Sequence, residues 1–399
     1  MTNNTTSFTR DQATDANLVA ADAKRKRDEY AQQMARDFTP TAARPAPTSV
    51  RLGPVNWLKE NLFNTWYNAV LTLVAAWILA STLPDIISWF FTEAILTPAP
   101  AEACREIAGA CWAFVYEKWR FILFGTYPFE QQWRPGGAVV LFIGMMILSC
   151  FKPFWNKSLL IVWPIGLAIC WILLSGGIFG LEKVPNNLWG GLPITLMLAV
   201  IGCGIAFPIA IALALGRRSK MPIIKAFSVG YIELIRGVPL ITVLFMASVM
   251  FPLFMPEGIT IDKLLRAQVA IIMFAAAYLA EVVRGGLQAI PKGQYEAGDA
   301  MGLSYWQSMG FIILPQALKI TIPPMVNTFI GMFKDTSLVL IVGIFDLMFT
   351  MRVAINDLVW RAYYLEGMIF VALIYFLFCF SMSKYSQWLE GELHRGHRR

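Results

Sequence analysis

The sequence reads as an all-α polytopic membrane protein with about eight transmembrane helices, on three observations. Of its 399 residues 57% are hydrophobic and only 15% charged, against about a quarter charged in a soluble domain. Uncharged windows approaching the roughly 20 apolar residues of a membrane-spanning helix recur along the chain. Lysine and arginine gather in alternate connections between those windows, as they do when basic loops stay on one side. This composition excludes disordered, fibrous and disulfide-scaffold classes, and leaves too few charges to coat a soluble enzyme.

Residues 1–60 are polar, mixed in charge and carry Pro40, Pro45, Pro47 and Pro54, so they read as a disordered tail. No short apolar segment followed by small residues opens the chain, so the first span is expected to direct its own insertion. That span, about 64–83, lies in the uncharged stretch between Glu60 and Asp85. A loop over about 84–135 follows, with four basic and six acidic residues. Spans at about 136–151 and 159–180 complete a first region, 61–189. The 33 uncharged residues between Lys183 and Arg217 then hold a fourth span, about 191–215. Four more are expected at about 229–252, 266–283, 320–345 and 367–384, before a basic tail at 391–399. The sixth and seventh have the weakest hydropathy, and Lys334 and Asp335 interrupt the seventh.

Orientation follows from the basic residues. The segment before the first span holds Lys24, Arg25, Lys26, Arg27, Arg36, Arg44, Arg51 and Lys59. With that tail in the cytoplasm, alternation puts 152–158, 216–228, 284–319 and the C-terminus on the same side, and these carry most of the remaining lysine and arginine. Eight spans return both termini to the cytoplasm. The net charge of +7 is thereby explained by topology, without a nucleic-acid partner.

Cys150, Cys170, Cys203 and Cys379 lie in or beside spans and read as small apolar packers. Cys104 and Cys111 fall in the long outer loop, where an oxidising periplasm would let them close a small disulfide loop. Both histidines, His394 and His397, sit in the C-terminal tail, so no metal or haem site is expected among the spans. No G-x4-G-K-[ST] phosphate loop occurs, so the chain is not expected to bind ATP by that device.

The most informative segment is 284–319. Two short helices, about 293–301 and 304–313, are expected to flank Gly302, with Ser304 capping the second and Pro315 breaking the chain before the next span. Tyr295, Met301, Tyr305, Trp306 and Met309 would then form an exposed docking surface. Glu296-Ala297-Gly298, three residues, Gly302, nine residues and Ile312-x-Leu314-Pro315 resemble the EAA loop of bacterial ABC-importer permeases, the one departure being Gly298 at the second alanine. Gly191–Leu196, Tyr231–Leu240, Ala277-Tyr278-x2-Glu281-x2-Arg284-Gly285-Gly286 and Lys334–Leu338 are similar to the polar amino-acid branch of these permeases. The size and layout most resemble the larger M-type permease of general L-amino-acid uptake systems.

The resemblance implies a five-helix permease core over 190–390, preceded by three extra spans. It implies a coupling helix that docks on a cytoplasmic ABC ATPase dimer, with ATP and magnesium held by that partner and no cofactor on this chain. It further implies a second permease subunit, expected to be a different chain with the extra spans packed on the outside. A periplasmic amino-acid-binding protein would deliver the amino-acid substrate. The chain would sit in the bacterial inner membrane. A secondary transporter needing no ATPase is the alternative, although no repeat relates 64–180 to 191–384. A membrane-embedded enzyme is a third class, with little in the spans to build a catalytic constellation.

Charges at membrane depth cost about 2.5–3.5 kcal/mol each on insertion scales and usually face protein or water. Glu233 and Arg236, three apart on one helix face before Gly237 and Pro239, are expected to pair with each other. Glu281 and Arg284 repeat that spacing, and the alternative for both pairs is that they simply anchor helix ends at the interface. Lys334 and Asp335, beside Thr336 and Ser337, form either a polar notch lining the pathway or an ion pair to a neighbouring helix. Candidates to meet a zwitterionic substrate are Glu233, Thr242, Asn327, Asp335, Thr336 and Ser337.

Overall fold

The computed structural model describes residues 24–30, 53–156, 158–258 and 261–394, and the chain divides into two units, Met1–Thr82 and Leu83–Arg399. Most of the tail expected over 1–60 lies outside the described residues; 24–30 are helical, and Pro54–Asn61 is a helix opened by its own proline. The first span is α1 (Trp66–Ile87), which continues through a π turn to Thr92 and has no buried residue.

In the second unit, α2 (Ala113–Phe124) is followed by the hairpin of α3 (Trp133–Cys150) and α4 (Leu159–Ser175). Next come α5 (Leu192–Arg217), α6 (Pro222–Arg236), α7 (Leu240–Phe245) and α8 (Lys263–Ala289). The chain ends with α9 (Lys292–Ala300), α10 (Leu314–Asp335), α11 (Leu347–Ala354) and α12 (Tyr364–His394). Among the described residues only isolated bridges, Ile95 to Cys111 and Gly191 to Asp346, depart from helix and loop.

Among the described residues six helices are long and apolar enough to cross a membrane, and the bent pair Pro222–Arg236 with Leu240–Leu253 makes up to seven. Three of the expected spans take a different form from the one the sequence suggests. The span expected at 229–252 is two helices meeting at 102°. The sequence Gly237-Val238-Pro239 stops α6, because proline supplies no N–H and keeps the preceding residue out of the helical region. The span expected at 159–180 is the 17-residue α4, short because Gly176 turns the chain at a φ of +65°.

The span expected at 320–345 is in turn longer, because Pro315 does not break it. Tyr305–Gln307, a π turn at Ser308–Ile313, α10 and a 3-10 stretch at Thr336–Val342 run on as one 38-residue element. The π turn shifts the hydrogen-bond ladder just before Pro315, which follows it as the second residue of α10.

The core sits around α5 and α8, which pack on each other most extensively. Gly202, Ala206, Ala210 and Ala214 recur every fourth residue of α5 and are all buried, so the backbone of α8 can come close. Along α8, Ala267, Ala270, Ala275, Ala276, Ala277 and Ala280 are buried. Asp262 caps α8 by accepting from the amide of Leu264 at 3.0 Å, and Asp346 caps α11 by accepting from Met348 and Phe349, each at 3.0 Å.

Within the long outer loop, Cys104 and Cys111 are joined as a disulfide with Cα atoms 5.7 Å apart. Their neighbourhood is fastened to the far end of the chain. Lys118 Nζ reaches Asp357 at 2.8 Å, Trp360 Nε1 donates to Glu117 at 3.1 Å, and the Thr350 hydroxyl donates to the carbonyl of Ile122 at 2.7 Å. The hydrogen bond from Lys118 holds the Asp357 carboxyl below its usual range.

Candidate functional site

The segment expected to couple begins where α8 ends at Ala289. Ile290 and Pro291 are extended, so the chain turns sharply into α9. At the other end of α9, Gly302 takes a φ of +71°, a conformation that side chains with a Cβ rarely adopt, and Leu303 N returns to the carbonyl of Gly298 at 3.2 Å. Ser304 then starts the next helix with a capping box, its amide donating to Gln307 Oε1 at 2.9 Å.

This turn leaves Glu296, Ala297, Met301, Gly302, Tyr305 and Trp306 exposed, with Trp306 at 73%. Gly298 is buried beneath them, Ile312 and Leu314 are half-buried, and Pro315 is exposed. Of the apolar residues expected on the surface, Met309 is instead buried and Tyr295 half-buried. They face a small separate core made by Ala214 of α5, Val283 and Leu287 of α8, Ile290, Ile313 and Ala317. One face of the helical turn is therefore anchored, and the other presents an acid, aromatics and a methionine.

Directly behind lies a cluster of charges. Glu281 of α8 accepts from Arg217 at 2.8 Å and from Arg284 at 2.8 Å, and lies 3.6 Å from Arg236. Glu233 pairs with Arg217 at 2.8 Å. The expected Glu233–Arg236 pair is thus replaced by contacts to neighbouring helices: Glu233 turns to the end of α5 and Arg236 to α8, where Glu281 offers a better buried carboxylate. The Glu281–Arg284 pair forms along α8 as expected from its spacing. Three guanidiniums against two carboxylates leave the cluster net positive, next to the 237–239 break.

The other pathway candidates lie elsewhere. Thr242 is exposed at the start of α7, and Asn327 is exposed on α10. Lys334 and Asp335 end α10, where the ladder tightens to a 3-10 stretch; among the described residues neither makes an ion pair within 4.0 Å. Thr336 is buried and donates to the carbonyl of Phe333 at 2.7 Å, and Ser337 is half-buried. No group of three or more potential metal ligands occurs among the described residues.

Sequence reasoning missed Arg217 and Arg218, counted only as basic loop residues. Arg218 Nη1 donates to the carbonyl of Leu287 at 2.9 Å and to the Tyr295 hydroxyl at 2.8 Å. It also missed polar groups toward the opposite end of α8. Arg266 donates to the carbonyl of Ser248 in a π turn, and Gln268 donates to the carbonyl of Leu198 at 3.3 Å. A double arginine closing a 33-residue uncharged run was the available signal for the first pair; nothing distinguished the second.

Comparison with known proteins places this arrangement. The family described as "binding-protein-dependent transport system inner membrane component" matches residues 204–394. The inner membrane amino-acid ABC transporter permease protein YhdY of Escherichia coli is 48% identical over 349 residues, 85% of this chain and 93% of that one. The glutamate/glutamine/aspartate/asparagine transport system permease protein BztC of Rhodobacter capsulatus is 38% identical over 426 residues, 90% of this chain and 97% of that one. Among solved structures, an amino acid ABC transporter with histidines shares 31% identity at a TM-score of 0.46, covering 51% of this chain and 92% of that chain. With two long relatives matched almost end to end, the chain belongs to the inner-membrane components of binding-protein-dependent transport systems, the permeases of ABC transporters.

Proposed function

We propose that this chain is the permease subunit of an ATP-driven amino-acid importer, forming half of the translocation pathway and taking its energy through the 290–315 turn. The observation that carries the coupling role is the two-faced turn itself. Gly298, Met309 and Ile313 are buried against α5, α8 and α10, while Glu296, Met301, Tyr305 and Trp306 stand exposed. An exposed aromatic cluster beside a carboxylate suits a protein cleft better than water. The amino-acid substrate is supported by the names of both long relatives.

In this reading both termini and the turn are cytoplasmic, and a separate ATPase dimer holds ATP and magnesium. A second permease subunit of different sequence completes the pathway, and a periplasmic binding protein delivers the amino acid. Closure of the ATPase pair displaces the docked turn, which moves α8 and α10 and switches the pathway between its two openings. The coupling is reciprocal: a binding protein that favours the outward state must equally favour the closed ATPase.

The experiment is purification of the tagged chain from membranes, followed by assay for a co-purifying ATPase, in wild type and in Glu296→Arg. Co-purification with the wild type and its loss with the variant, at normal membrane insertion, is the expected result. A working transporter that carries no ATPase would return the reading to a secondary transporter.

A further inference from the structure

Arg217 and Arg218 are consecutive, yet their side chains serve different structures. Arg217 ends α5 and reaches Glu233 on α6 and Glu281 on α8, each at 2.8 Å. Arg218, the cap of α5, turns the other way. Its Nη1 donates to the carbonyl of Leu287 at 2.9 Å and to the Tyr295 hydroxyl at 2.8 Å, and its guanidinium lies 5.3 Å from the centre of the Tyr295 ring. The Tyr295 hydroxyl in turn donates to the carbonyl of Leu287 at 3.0 Å.

Leu287 belongs to the last turn of α8, where carbonyls have no partner within the helix. Here that vacancy is filled by two groups from outside, one from α5 and one from α9. The closed triangle spans the extended junction Ile290–Pro291, which would otherwise be a two-residue hinge between α8 and α9. Tyr295 immediately precedes Glu296; neighbours on a helix point about 100° apart, so one faces the anchored side and the other stays exposed.

We propose that Arg218 is a positioning residue for energy coupling. Its guanidinium clasps α9 to the end of α8, and the adjoining Arg217 ties that clasp to the Glu233–Glu281–Arg236 cluster at the 237–239 bend. A displacement of the docked turn is thereby passed to α6 and α8 together, instead of being absorbed at Ile290–Pro291. The network is contiguous from Tyr295 to Arg236, through contacts of 2.8–3.6 Å. The proposal rests on the coupling role assigned above to the 290–315 turn.

The test uses the complete transporter in proteoliposomes, with uptake and ATP hydrolysis measured on the same vesicles. For Arg218→Leu the ATPase is expected to co-purify as in wild type, while uptake per ATP hydrolysed falls about ten-fold, within the usual range of coupling between sites. Tyr295→Phe keeps the ring under the guanidinium and removes only the hydroxyl, so a fall of about three-fold, the worth of a hydrogen bond, is expected. A wild-type ratio in Arg218→Leu overturns the proposal. Loss of the ATPase from that variant also overturns it, because Arg218 would then act in docking or folding. If Arg218→Leu does not insert, an unchanged ratio in Tyr295→Phe is decisive against the clasp. Failure of the coupling reading itself looks different: the wild-type chain would then carry no ATPase.

Discussion

The backbone amide of Cys111 donates to the carboxylate of Glu366 at 2.9 Å, across 255 residues of sequence, and both residues are buried. Lys118 to Asp357, Glu117 to Trp360 and Ile122 to Thr350 continue the same seam between α2 and the segment from α11 to α12. The loop over 84–135 is therefore fastened to the segment from α11 to α12, and both lie within the compact unit Leu83–Arg399.

Glu366→Ala tests that seam. It leaves the Cys111 amide buried without an acceptor, which costs about 1–3 kcal/mol. The melting temperature of the purified chain in detergent is expected to fall by several degrees, on the order of 2–4 °C per kcal/mol for a large domain. Glu366→Gln keeps an acceptor oxygen in reach and is expected to lose less than half as much. Equal losses would mean that the carboxylate serves the N-terminal end of α12 through its charge rather than holding Cys111.

Gly298, the departure from the EAA pattern, has a local reason. A Cβ at this position would lie 2.6 Å from the Ser308 hydroxyl and 3.3 Å from its Cβ, so α9 and the π turn touch where the family pattern has alanine. Gly298→Ala is expected to weaken uptake several-fold at normal expression, and adding Ser308→Ala is expected to restore most of it. The coupling between such touching sites runs to about 0.5–3 kcal/mol. Simple additivity of the two substitutions in the uptake assay would reject the contact as the cause.

A second close approach joins the two helices that bracket the turn. A Cβ on Gly286 would fall 2.7 Å from the backbone carbonyl of Ala317, which no rotamer can relieve. Gly286→Ala must push α8 away from α10, at about 1–3 kcal/mol for overpacking. Reduced thermal stability in detergent should come together with reduced uptake, whereas Gly285→Ala, one residue away with open space around it, should change neither.

The sequence made the membrane spans and the 284–319 turn legible because both depend on local pattern. Uncharged windows mark the spans, and Glu296, Gly302 and Pro315 mark the turn at fixed spacing. What stayed hidden depends on packing between distant residues. The partner of Glu233 could not be read from Arg236 three residues on, because Arg217 and Glu281 are brought there only when α5, α6 and α8 assemble. Proline alone did not tell the two cases apart: Pro239 follows a helix that ends at a 102° bend, whereas Pro315, expected to break the chain, lies with Pro323 and Pro324 within one long element. The difference at Pro315 is the π turn before it, which pattern does not reveal.

The charge cluster gives the sharpest contrast between two similar carboxylates. Glu281 has a side chain only 15% exposed and meets three guanidiniums, whereas Glu233 is 55% exposed and meets one. Removing the shared acceptor leaves Arg217, Arg236 and Arg284 crowded together with only Glu233 to offset them. Glu281→Gln is therefore expected to cost about 3 kcal/mol, the lower end for a broken buried pair. Glu233→Gln, at a solvent-facing position, is expected to cost under about 1 kcal/mol. Adding Arg284→Gln to Glu281→Gln removes one of the stranded cations, so the double variant should be more stable than Glu281→Gln alone. Detergent melting curves at low and high salt check this: repulsion among the stranded arginines should be relieved by salt in Glu281→Gln and much less in the double variant. Equal stability for Glu281→Gln and Glu233→Gln would show that the cluster is a surface network, and that Glu281 is not its centre.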